Sequence, residues 1–393
     1  MSSDWLNDFV NCYSHGESPP RILYWVGVST IAGALGCRVW IDEGLFKWLP
    51  NFYILIVGPP GEIKKSTSTN LGMLLLREVG ADMGPEISTW QALITHMSTN
   101  QRLTIVGTEQ KMASCVTLEL SEFGSFFDTA DHWLVDILVR LWDNKPTPLE
   151  KETKKDGVEY IENPWLNILA CTTPKWIAKN VTEDVIGGGF GSRLIFIHED
   201  IAAQDVSYPS RVKRKFNPYI QQADLTSRLS DMTHLTGPYR MTEAAYAWGD
   251  AWYKENRKRM RASRNETEAN FFAREQTQLH KLAMVISVSR GEFPVISEQV
   301  MVEAYERLKD LSKDAQRVLG VVGQTNITRV ASDILATLAK TGPLPRKELY
   351  RRAFFRSMSI REYSEALGSA SGAGFLTIGQ GENGVVELVK GTL

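Results

Sequence analysis

The residues best arranged to do chemistry in this chain are Gly58-Pro59-Pro60-Gly61-Glu62-Ile63-Lys64-Lys65-Ser66-Thr67. A glycine-rich turn, then lysines, then hydroxyls opening a helical pattern are the parts of a loop that holds phosphate. Backbone N–H groups point inward, a helix N-terminus adds partial positive charge, a lysine reaches the β- and γ-phosphates, and a hydroxyl stands near Mg²⁺. The stretch departs from G-x-x-x-x-G-K-[ST]. Counting from Gly58 puts Ile63 at the second glycine, Lys64 at the lysine and Lys65 at the hydroxyl position. A shift by one residue restores Lys65-Ser66 and loses the first glycine. The first register is favoured, with Lys64 on phosphate and Ser66 or Thr67 near the metal; Lys65 is the competing assignment. The plain alternative is a loop whose glycines turn the chain and whose lysines are solvated.

A nucleotide site also needs an acid at the end of a neighbouring strand to order the metal or polarise the attacking water. Cys115-Val116-Thr117-Leu118-Glu119-Leu120-Ser121-Glu122 supplies one. Glu122 falls just past the strand end and is the expected catalytic carboxylate, with Ser121 where an aspartate commonly precedes it; Glu119, inside the strand, reads as structural. Asn167 to Pro174 is a strand ending in Thr172-Thr173, and Thr172 is the expected sensor of the γ-phosphate or the water. Gly187-Gly188-Gly189-Phe190-Gly191-Ser192-Arg193 places an arginine after a glycine run and directly before a strand. Its planar fork suits transferring phosphate, and a neighbouring subunit can donate such a group. The other reading of Arg193 is a pair with a structural carboxylate. Arg274 is a candidate second nucleotide-sensing arginine.

These residues need a scaffold. Phe52 to Val57 is a short apolar run entering the loop, and a helix is expected from about Lys65 to Val79. Further strands are expected at Leu103 to Gly107, Cys115 to Leu120, Leu166 to Cys171 and Arg193 to His198, with helices between most of them. Alternation of this kind implies an α/β, mainly parallel sheet covered by helices. A helical lead-in occupies 1–47, the core 48–200, a linker and helical domain 201–325. Residues 326–393 read as three helices and a hairpin, a winged-helix-like module.

The order of these motifs resembles the AAA+ class of P-loop ATPases, and Gly191-Ser192-Arg193-Leu194-Ile195-Phe196 is similar to the arginine-finger segment of minichromosome-maintenance helicases. More closely, the chain resembles the replicative helicase, or primase-helicase C-terminal, family of phages, prophages and plasmids. Pro50-Asn51, Gly58 to Thr67, Ser121-Glu122-Phe123, Asn163 to Leu166, Thr172-Thr173-Pro174 and Gly189-Phe190 with Arg193 carry the likeness, over about residues 15 to 315. The resemblance implies a three-layer α/β/α core with a helical collar and lid, ATP and Mg²⁺ at subunit interfaces, a homo-oligomer, commonly a hexamer, and single-stranded DNA in its channel. In such rings a hairpin before the sensor strand grips the DNA backbone. Lys155-Asp156-Gly157 is a hairpin-turn signal between extended flanks, so Lys154, Lys155 and Lys151 are the expected DNA contacts. A solvated loop is the competing reading, supported by Glu150, Glu152, Asp156 and Glu159. The expected function is a DNA helicase or translocase in replication of a mobile element. A nucleotide-switched loader without unwinding activity is the alternative.

Composition bounds the rest. At 393 residues there is room for two or three domains, since single cores stop growing near about 250 residues. A formal charge of -2 excludes coating of nucleic acid by the overall field, so any contact is local. Cys12, Cys37, Cys115 and Cys171 are scattered, without a C-x-x-C pair, and read as reduced thiols. No apolar run spans a bilayer, and Met1 to Phe9 carries Asp4 and Asp8 without a basic cluster, so a cytoplasmic protein without membrane contact is expected. With no primase domain ahead of the loop, a separate primase or initiator is the expected partner.

Overall fold

The computed structural model describes residues 4–85, 89–127, 132–145, 147–153, 157–181, 189–212, 217–263, 266–319, 326–354, 358–381 and 384–389. The chain divides into two units, Met1–Leu319 and Gly320–Leu393. In the first, Asp4 caps α1 (Trp5–Tyr13) by accepting the backbone N–H groups of Leu6 and Asn7. The next helix, α2 (Pro20–Leu35), is apolar on nearly every side and lies in the core. A hairpin of β1 (Val39–Asp42) and β2 (Lys47–Trp48) leads to β3 (Tyr53–Val57), all five residues of which are buried. There follow α3 (Lys65–Glu78), α4 (Trp90–Thr99), β4 (Arg102–Val106), β5 (Glu109–Leu120), α5 (His132–Trp142), β6 (Leu149–Thr153), β7 (Gly157–Ile161) and β8 (Pro164–Thr172). The first unit continues through α6 (Pro174–Asn180), β9 (Leu194–His198), α7 (Pro218–Met232), β10 (Gly237–Pro238), β11 (Arg240–Met241), α8 (Glu243–Ala262), α9 (Glu266–Ser289), β12 (Val295–Ile296), α10 (Glu298–Leu308) and α11 (Leu311–Leu319).

The central sheet has the order β4-β5-β8-β3-β9. Four strands are parallel, and β4 joins antiparallel to β5. Burial of every residue of β3, β8 and β9 explains why they read as unbroken apolar runs. The register sets Val57 beside both Thr172 and His198, and Leu120 beside Ala170, so the C-terminal ends of four strands share one edge. Ligands of open α/β sheets bind at that edge.

Two expectations need correction. The strand expected at Cys115 begins at Glu109, because its first residues are exposed and polar and pair with β4 in a hairpin. The divisions expected near residues 47 and 200 do not appear, since one apolar cluster runs from Trp5 through α2, β3 and β9 to Leu311. Trp5 Nε1 donates to the Leu225 carbonyl at 2.9 Å, Leu6 N to Ser289 Oγ at 2.8 Å, and β1 pairs with β10. Changes of periodicity mark where patterns end, not which apolar faces meet.

The second unit contains α12 (Asn326–Thr341), β13 (Leu344–Pro345), α13 (Arg346–Leu349), α14 (Ile360–Gly372), β14 (Leu376–Ile378) and β15 (Val385–Leu388). Ser359 and Glu362 form a capping box that starts α14. The hairpin of β14 and β15 accepts β13 as an additional short strand, over a core that includes Ile334, Leu349, Tyr363, Leu367 and Val386. Among the described residues of the chain, no helix is long and apolar enough to cross a membrane.

Candidate functional site

The loop between β3 and α3 is shaped by its glycines. A Cβ on Gly58 would stand 2.4 Å from the Glu199 carbonyl oxygen and 2.4 Å from Ile63 Cδ1, so only glycine fits. Ile63 is buried as the floor of the loop, Gly61 turns the chain at φ +77, and Glu62 is exposed. Lys64 has φ 49 and ψ 42, the left-handed conformation that glycine adopts without steric cost. The helix α3 starts at the next residue, Lys65.

Lys65 Nζ turns back over the loop and donates to the carbonyls of Gly58 at 2.7 Å and Pro59 at 2.8 Å. Burial lowers its pKa, while Cys171 and the Glu122 carboxylate act in the opposite direction. Lys64 Nζ pairs with Glu17 at 3.0 Å and donates to Gly61 O at the loop's other turn at 3.1 Å. Of the two candidate lysines, Lys65 is the one whose ammonium lies over the Gly58 and Pro59 carbonyls, which favours the competing assignment. Counting from Gly58 could not detect this, because it depends on the direction each side chain takes.

Around Lys65 the sheet edge gathers several expected residues. Thr172 lies beside Val57, and its Oγ1 is buried with no hydrogen-bond partner among the described residues. Glu122 follows two residues after Leu120, which pairs with Ala170, so it reaches the same level as Thr172 on the next strand and is exposed. Glu119 accepts from Thr69 Oγ1 at 2.6 Å, tying β5 to α3. Burial pushes the Cys171 thiol up to about 12, with Glu119 and Glu122 adding to the shift and Lys65 opposing it. Ser66 and Thr67 are exposed in the first turn of α3, where the leading N–H groups have no side-chain cap. The edge thus combines a fixed ammonium, an unpaired hydroxyl, open helix N–H groups and two carboxylates, a set suited to a polyanion and its counter-cation.

Arg193 is elsewhere and otherwise engaged. It precedes β9, where Leu194 pairs with Tyr53, at the end of the sheet opposite the loop. Only 3% exposed, it binds both Asp143 oxygens, Nε at 3.1 Å and Nη2 at 2.8 Å, and donates to Gly189 O at 2.8 Å. The reading of Arg193 as a free finger is corrected to the structural pair, because a bidentate carboxylate holds its fork. Arg274 on α9 shares this neighbourhood: burial and Arg193 lower its pKa while Asp143 raises it. Beneath lies Lys281, fully buried over the Trp142 ring at 3.7 Å, donating to Asn51 Oδ1 at 2.7 Å and to the Trp142 carbonyl at 3.1 Å. Burial lowers its pKa strongly. Asp143 and Lys281 were missed in the sequence; a lysine inside the apolar run from Leu279 to Val288 was the available signal for the second.

The expected hairpin exists as β6 and β7, with Thr153 opposite Gly157. Lys154 and Lys155 lie outside the described residues. Lys151 is turned inward, its side chain 19% exposed, paired with Glu159 at 2.8 Å and 5.0 Å from the Trp90 ring centre. That placement corrects its expected role as a projecting DNA contact. Among the described residues, no group of three or more His, Cys, Asp or Glu side chains could hold a metal ion. No family model matches this chain, and no curated protein matches its sequence.

Proposed function

We propose that the loop edge binds ATP with Mg²⁺ and hydrolyses it, and that the chain is a P-loop, AAA+-like motor that translocates on or unwinds DNA in replication of a mobile element. The observation that carries the nucleotide reading is the Lys65 ammonium folded over the Gly58 and Pro59 carbonyls beside the unpaired Thr172 hydroxyl. An ammonium held by two loop carbonyls can exchange them for phosphate oxygens, and an orphaned buried hydroxyl lacks a partner that a phosphate or its attacking water supplies. The residues present therefore fit the nucleotide.

In this reading Lys65 binds the β- and γ-phosphates, backbone N–H groups from Gly61 to Ser66 hold their oxygens, and Thr172 orients the water. Ser66, with Thr67 beside it, would hold Mg²⁺, which would supply charge neutralisation to the phosphates. Glu122 takes the water's proton, and Glu119 holds α3 against β5. Arg274, whose guanidinium is not held by Asp143 as Arg193's is, is the better candidate to reach a neighbouring subunit's phosphate in a ring. Single-stranded DNA as track, Lys154 and Lys155 as its contacts, a hexamer, a separate primase or initiator and a winged-helix-like tail come from the family resemblance.

The test is ATP hydrolysis with and without single-stranded DNA, beside directional strand displacement and oligomer mass. DNA-stimulated turnover with displacement from a ring-sized species supports the motor. Nucleotide binding without displacement moves the assignment to a nucleotide-switched loader.

A further inference from the structure

Two cysteines meet where α2 gives way to β1. Cys37 lies just beyond the end of α2, and Cys115 lies on β5. Gly36, the residue that closes α2, has a positive φ of +57. A Cβ on Gly36 would stand 3.5 Å from both Cβ and Sγ of Cys115 and 3.5 Å from Arg38 Nη1, so the Cys115 side chain rests against the backbone that leads into Cys37. The two thiols touch: they share a side-chain hydrogen bond, and the Cys115 sulfur also accepts the Cys37 backbone N–H. Both belong to one small apolar cluster with Ala113 and Trp165.

The surroundings favour a thiolate on one of the pair. The hydrogen bond from Cys115 lowers the pKa of Cys37; burial opposes this, and the Arg38 guanidinium adds to the lowering. The same hydrogen bond, with burial, raises Cys115. An acidic thiol beside a positive charge, with a second thiol in contact, is the arrangement in which an oxidised sulfur is resolved as a disulfide. A small oxidant has a way in, because Cys37 lines a groove of about 480 Å³ and Cys115 is only partly buried. The other two cysteines, Cys12 on α1 and Cys171 on β8, are buried, and burial pushes the Cys171 thiol up to about 12.

We propose that Cys37 and Cys115 form a peroxide-sensitive dithiol that closes to a disulfide. The Cys37 thiolate attacks one oxygen of hydrogen peroxide and the O–O bond breaks. The sulfur keeps one OH as a sulfenic acid, and the other leaves as hydroxide and takes up the proton that Cys37 had released. The Cys115 sulfur then attacks the Cys37 sulfur, the S–O bond breaks, and the S–S bond forms as the departing hydroxide takes the Cys115 proton. Two thiols are oxidised and one peroxide is reduced to two waters. The new bond ties the end of α2 to β5 and closes a loop of chain that contains the Gly58 turn and α3. Its formation does not depend on that turn binding a nucleotide.

The test exposes the reduced, full-length protein to a small excess of hydrogen peroxide, removes the peroxide with catalase, alkylates free thiols with N-ethylmaleimide in denaturant, and reads intact mass and a non-reducing peptide map. The expected product has lost the two thiol hydrogens, carries two alkyl groups instead of four, and yields a linked peptide joining Cys37 to Cys115; dithiothreitol restores all four thiols. Cys37→Ala and Cys115→Ala should each abolish the linked peptide, and the combined Cys12→Ala and Cys171→Ala change should keep it. The map of the unaltered protein names the joined residues directly, so the outcome stands even where a variant does not fold. Four alkylated thiols after peroxide overturn the proposal. So do a link between other cysteines or between two chains, and conversion of Cys37 to a sulfinic acid with Cys115 still free.

Discussion

Replacing Thr172 with valine should move stability and turnover in opposite directions. Its Oγ1 is buried without a partner among the described residues, on the strand between β3 and β5 at the loop edge. An unsatisfied buried hydroxyl costs roughly 1–3 kcal/mol, and valine has nearly the same shape, so removal should stabilise the protein by about 1 kcal/mol. In a unit of this size that corresponds to a Tm rise of about 1–2 °C. The same hydroxyl, bonded to a charged phosphate oxygen or its water during reaction, is worth roughly 1.5–3 kcal/mol, a loss of about 10- to 160-fold in turnover. Thermal melts and steady-state ATP hydrolysis on Thr172→Val measure the two effects side by side. A lower Tm with unchanged turnover would refute the reasoning, because it would mean that the hydroxyl serves the fold and not the reaction.

Arg193→Met should cost roughly 3–5 kcal/mol in urea unfolding, since it leaves Asp143 without its bidentate partner; unchanged stability would mean the pair is incidental. Gly58→Ala should destabilise by about 1–3 kcal/mol and abolish nucleotide binding, because the added Cβ meets the Glu199 carbonyl; calorimetry showing normal binding would remove the tight turn from the account. Burial holds His280 at about 4 against an ordinary value of 6.5. The unfolded chain therefore binds a proton first as pH falls, so this histidine's penalty is absent above 6.5 and grows to about 3 kcal/mol near pH 4. His280→Phe should flatten the acid limb of stability, and an equally steep limb in that variant would assign the loss to other groups.

Much of the scaffold was legible because burial on both faces writes itself into sequence. Phe52 to Val57, Leu166 to Cys171 and Leu194 to His198 became central strands, and the helix after the loop runs from Lys65 to Glu78. The three helices and hairpin of the second unit follow from local periodicity and from the turn at Gly342. The polar half of β5 carried no signal, since a hairpin with β4 satisfies its backbone without burying its side chains. Site residues were legible as types and not as directions. The sequence places two adjacent lysines after a glycine turn, yet only the structure shows which ammonium lies over the Gly58 and Pro59 carbonyls. The order of residues before β9 marks an arginine, yet its partner Asp143 lies on a distant stretch of chain.

Lys65 is the proposed phosphate lysine of the proposed nucleotide site. Binding of fluorescent ATP to Lys65→Ala and Lys64→Ala proteins, each checked for an unchanged melting curve, tests it most directly. Binding should fall at least tenfold in Lys65→Ala and change little in Lys64→Ala, whose ammonium faces Glu17. Loss in Lys64→Ala with Lys65→Ala unaffected would contradict the register, and full binding in both would contradict the site.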